Sequence, residues 1–186
     1  MTRNWDRAAA AMLAFATLIL LTVFFEHRPF FDWAFTRHQN TASWVARPLF
    51  LLPFCYFAFR RSLTGIMASI LALLTSMFWF PAPAVPREDV MRFLAMEKDI
   101  LSQGWSLTNM VGALAVIFYG WALAAAFWKR SWRLGLGVAA AGALVKSLWS
   151  VIFSPEAGHS VLPYAIGGVI VLVIAVFIAN RINHSR

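Results

Sequence analysis

Charge is scarce in this sequence. Only 13% of its residues are Asp, Glu, Lys or Arg, against about 25% in a soluble domain. The apolar share is 61%. A chain of 186 residues cannot hide that much apolar surface in a core of its own, so lipid must cover the remainder. Acids are rarer still, eight against sixteen Lys and Arg. Cysteine is reduced to Cys55, which excludes an intramolecular disulfide and a cysteine-held metal cluster. G-x-x-x-x-G-K-[ST], a dinucleotide loop and H-E-x-x-H are all missing. Nothing here therefore marks a nucleotide-binding enzyme or a zinc protease.

What is present is a series of long apolar blocks, at residues 8–25, 42–59, 63–80, 106–128, 134–153 and 161–179. Crossing a bilayer takes about 20 apolar residues in a helix. The expected fold is therefore all-α, a six-helix transmembrane bundle forming a single polytopic domain over residues 1–186. The first block follows Arg3 and Arg7 and ends Val23-Phe24-Phe25-Glu26, without a small-residue cleavage signature. It reads as a retained first helix. Residues 26–40 mix charges with Phe30, Phe31, Trp33 and Phe35 and suit the headgroup level. Pro48 and Pro53 predict a kink or break in the second block.

The one long polar stretch, residues 80–105, divides the blocks. Pro81, Pro83 and Pro86 keep its first part extended. A short amphipathic helix over 90–103 follows, stopped by Gly104 and expected to lie on the membrane as a roof.

The charges are distributed unevenly. Six spans place both termini on one side, together with Arg3, Arg7, Arg60, Arg61, Lys129, Arg130, Arg133, Arg181 and Arg186, against Asp6 alone. That asymmetry makes this side cytoplasmic and the chain a multi-pass protein of a cell membrane, by composition a bacterial cytoplasmic membrane. It also accounts for the net charge of +8 without a nucleic-acid partner. The two cytoplasmic turns resemble each other: Phe59-Arg60-Arg61-Ser62-Leu63 with Gly65, and Trp128-Lys129-Arg130-Ser131-Trp132 with Gly135. Duplication of a helical hairpin explains this, and so does convergence on what such a turn requires.

No apolar block contains Asp or Glu, which argues against a carboxylate proton relay or sodium site at mid-membrane. Two cations do lie within blocks. Lys146 sits about 21 Å from the cytoplasmic edge and Arg47 roughly 8 Å from the outer edge, counted at 1.5 Å per residue. In a core about 30 Å thick these levels nearly coincide. Arg47 and Lys146, with Ser76 and Asn109 near the same depth and Glu97 and Glu26 within reach as loop acids, are the candidate ligand-binding residues of an outward-facing polar pocket. Its ligand would be small and anionic or amphipathic, such as a lipid. Snorkelling of both cations to the headgroups is the plainer alternative. His27, His38 and His159 all fall on the outer side and are candidate metal ligands, though none are paired at helical spacing. No cofactor is called for.

Three functions compete: binding or transport of such a ligand; an accessory subunit within a larger membrane complex; and an outer-face enzyme, with a metal held by the histidines. The short chain leaves little room for catalytic machinery, which counts against the third. The expected partners are the bilayer, the anionic or amphipathic ligand, and other membrane proteins or further copies of the chain.

Overall fold

The structure, a computed structural model, describes residues 3–153 and 162–184. Among these residues all regular elements are helical. The chain divides into two compact units, Met1–Met91 and Arg92–Arg186. Three helices are long and apolar enough to cross a membrane: Asn4–Glu26, Thr41–Phe59 and Leu107–Trp128. Leu63–Phe78 and Ile166–Ile178 are apolar but shorter.

The first unit opens with α1 (Arg3–Glu26). Its protected residues, Asp6, Ala9, Ala10, Leu13, Ala14, Thr17, Leu20, Leu21 and Phe24, recur at helical spacing. This stripe runs along α5 (Leu63–Thr75). The opposite face carries Met12, Phe15, Leu18, Ile19 and Val23, all exposed. A water-soluble helix would place polar residues there. Large apolar side chains on the outer face suit a lipid surround. Thr17 is buried, and its hydroxyl donates to the Leu13 carbonyl at 2.8 Å, so it brings no unsatisfied polar group into the packing.

Pro29 turns the chain. His27 caps α2 (Arg28–His38), its Nδ1 accepting from the Phe30 amide at 3.1 Å. α2 folds back so that Phe31 and Phe35 stack near Phe24, with ring centroids 4.9 and 6.3 Å away. Asn40 then caps α3 (Thr41–Leu49), accepting from the Ala42 amide at 3.0 Å. The expected break falls at Phe50, between Pro48 and Pro53, and α4 (Leu51–Phe59) continues the span.

A three-residue turn leads to α5, with Arg61 at φ 57° and Ser62 as N-cap. The turn closes in Schellman fashion: the Ser62 amide donates to Phe57 O and the Arg61 amide to Ala58 O, both at 3.0 Å. Asp6 reaches across from α1 and caps α5 from outside. Its carboxylate accepts from Ser62 Oγ at 2.9 Å and from the Leu63 and Thr64 amides at 2.9 and 3.2 Å. A β-carbon at Gly65 would overlap the Phe57 ring, so glycine is what lets α4 and α5 close. α5 ends sooner than block 63–80 suggests. Thr75 and Ser76 hydroxyls donate back to carbonyls of the last turn, and the helix tightens into a 3₁₀ turn, Ser76–Phe78.

The second unit holds most of α6 (Glu88–Ser102), with α7 (Leu107–Trp128), α8 (Trp132–Phe153) and α9 (Leu162–His184). The expected short helix is therefore present. Its buried face is Val90, Phe93 and Leu94; Met91 is exposed. α7 and α8 form a hairpin whose turn repeats the first one. Arg130 has φ 58°, Ser131 Oγ accepts from the Leu134 amide at 3.3 Å, and the Phe127 ring lies where a Gly135 β-carbon would stand. Tyr119 is seated on Gly142 in the same way. α9 packs on α8.

Candidate functional site

At one end of the first unit, α2 and α3 both pack on the 3₁₀ turn, and the polar residues there join in a chain of hydrogen bonds. Asn40 reverses the main chain between α2 and α3. That reversal brings His38, at the end of α2, beside Ser43 and Arg47, one and two turns into α3.

Ser43 is fully buried and donates its only hydroxyl hydrogen to Asn40 O at 2.7 Å. Its oxygen must therefore accept from His38, whose Nδ1 lies 2.8 Å away. This sets the tautomer: Nδ1 carries the proton, and Nε2 accepts from Arg47 Nη1 at 3.1 Å. Trp44 Nε1 donates to His38 O at 3.0 Å and closes the other side. His38 lies outside the membrane-length helices. Burial, with the Arg47 charge beside it, pushes its imidazole down to about 3, so it is neutral at physiological pH.

The adjoining loop is held by two more side chains. Arg37 Nε donates to Phe78 O at 2.7 Å, with its guanidinium 5.2 Å from the Trp33 ring centre. Asn40 Nδ2 donates to Pro81 O at 3.0 Å. Phe30, Trp33 and Phe78 form an aromatic cluster beside them.

The remaining sequence candidates lie as follows. Ser76 is buried, and its hydroxyl is turned into its own helix, donating to Leu73 O at 2.6 Å. Glu26 is exposed at the end of α1. Asn109 belongs to the second unit and holds the α6–α7 corner. Its Nδ2 donates to Ile100 O and Gly104 O, both at 2.7 Å, where Gly104 takes φ 64°. Glu97 is half-buried on α6. Lys146 is exposed on α8, with Leu144, Val145 and Leu148 exposed around it. Arg47 and Lys146 thus belong to different units.

Among the described residues, His27 and His38 serve separate roles. His27 is engaged as a helix cap. His38 is buried and bonded on both ring nitrogens. His159 lies outside the described residues. Among the described residues, no three His, Cys, Asp or Glu side chains gather to hold a metal ion.

The sequence marked Arg47 by depth but missed its partner. The available signal was Asn40, a helix-capping residue between two short helical patterns, since a cap that reverses the chain brings its flanks together. No family model matches the chain, and no match to it was found among curated proteins or solved structures.

Proposed function

We propose that this is a membrane protein that binds a small anionic or amphipathic molecule, with a phosphate-bearing lipid headgroup the best chemical fit, at the His38–Arg47 end of its first unit. The observation that carries this reading is the partner chosen for Arg47. Arg47 Nη1 donates to His38 Nε2 at 3.1 Å, and the neutral imidazole orients the guanidinium without bringing a countercharge of its own. A guanidinium is a planar fork suited to phosphate or carboxylate. The aromatic cluster of Phe30, Trp33 and Phe78 offers apolar surface nearby for the rest of an amphiphile.

The test is thermal stabilisation of the purified chain by a single-chain alkyl phosphate, with an alkyl trimethylammonium as control. Only the phosphate should stabilise the wild type. Arg47→Gln should remove most of the effect. His38→Asp should also remove it, because it hands Arg47 a competing carboxylate. Equal stabilisation of wild type and Arg47→Gln would exclude the site.

The accessory-subunit reading draws support from α7. Between Leu107 and Trp121, the side chains of Leu107, Met110, Val111, Leu114, Val116, Ile117, Phe118 and Trp121 are all exposed. At 3.6 residues per turn all of them except Val116 fall within one arc of about 120°, a continuous apolar face that a partner helix would cover.

A further inference from the structure

We propose that the turn between α7 and α8 is a docking site for the phosphate of an anionic lipid headgroup. α7 has 22 residues, about 33 Å at 1.5 Å per residue, enough to cross a hydrocarbon core of about 30 Å. Its terminal turn therefore falls at headgroup level. Lys129, Arg130 and Arg133 are all exposed there. Trp132, an interface-preferring ring, is exposed beside them, with the Arg133 guanidinium 5.4 Å from its centre. No Asp or Glu occurs between Asp99 and Glu156, so this stretch carries positive charge with no acid of its own.

Arg130 occupies the left-handed backbone position, at φ 58°, where helix ends commonly use glycine because a β-carbon is strained there. A guanidinium is kept at a position where glycine would fit more easily. The α4–α5 turn has the same construction, with Arg61 at φ 57° and Phe57 on Gly65. There Asp6 brings a carboxylate, so that turn is supplied with an anion by the chain.

Native mass spectrometry of the detergent-purified full chain, loaded with phosphatidylglycerol or phosphatidylcholine, tests this. The wild type should retain phosphatidylglycerol selectively. The combined Lys129→Gln, Arg130→Gln and Arg133→Gln variant should retain about tenfold less, since each cation near an anionic surface adds a separate increment of attraction. Arg60→Gln with Arg61→Gln should lose less. Arg130→Gly alone should lower retention while raising the thermal midpoint, an opposition that a purely structural arginine would not produce. Undiminished retention in the triple variant, equal retention of the two lipids, or an Arg130→Gly protein that binds as well as wild type would each overturn the proposal.

Discussion

His38 carries the most information of any single residue in the first unit. Its imidazole stays neutral down to about pH 3 in the fold, whereas an ordinary histidine titrates near 6.5. The unfolded chain therefore takes up a proton that the folded chain refuses. The stabilisation is complete above about pH 6.5 and is lost as pH falls towards 3, with a slope of at most about 1.4 kcal/mol per unit. Denaturation of wild type and His38→Gln between pH 7.5 and 5.5, above the carboxylate range, should show the wild type losing stability faster. Parallel curves would mean that the imidazole is not held neutral by its surroundings. Asp6 is the other residue whose role lies in its partners. Asp6→Ala removes the cap on α5 and should cost about 1–2 kcal/mol, the usual range for a lost N-cap, read as a lower unfolding midpoint. In sequence Asp6 was legible only as the single acid on a basic side, because a cap supplied by another helix leaves no local pattern. Arg47 was legible by its depth. Its bond to His38 was not, because it depends on the angle at which the chain turns at Asn40.

Among the elements, the helices themselves were the legible part, since apolar block length and proline placement determine most of their bounds. The break at Phe50 follows from Pro48 and Pro53, and the short helix before Gly104 follows from its apolar spacing. The early end of α5 was hidden, because it arises from Thr75 and Ser76 hydroxyls competing for carbonyls within a run that remains apolar. The glycines separate into two kinds that composition cannot distinguish. Gly65, Gly135 and Gly142 each lie under an aromatic ring, whereas a β-carbon at Gly112, Gly120 or Gly137 meets nothing. Gly65→Ala and Gly135→Ala should each cost about 1–3 kcal/mol from overpacking. Gly112→Ala and Gly120→Ala should be neutral or stabilise by up to about 1 kcal/mol through helix propensity. Unfolding midpoints of the four variants in one detergent would check the division, and equal losses at all four positions would refute it.

For the whole molecule, three membrane-length helices, the outward apolar face of α1 and the exposed apolar face of α7 agree on a membrane protein. The expected number of crossings and their direction rest on the charges of the sequence alone, which assign the basic turns at Arg60–Arg61 and Lys129–Arg130 to one side and the acidic stretch containing Val85 to the other. Both binding proposals depend on that arrangement, since one places a headgroup at the α7–α8 turn and the other an anion at the His38–Arg47 end. The most direct measurement is cysteine accessibility in intact cells. Buried Cys55 is replaced by alanine, and single cysteines are placed at Ser62, Ser131 and the exposed Val85. An impermeant thiol reagent should label Val85→Cys from outside and should reach Ser62→Cys and Ser131→Cys only after the cells are opened. Labelling of either serine position from outside, or protection of Val85→Cys, would contradict the account.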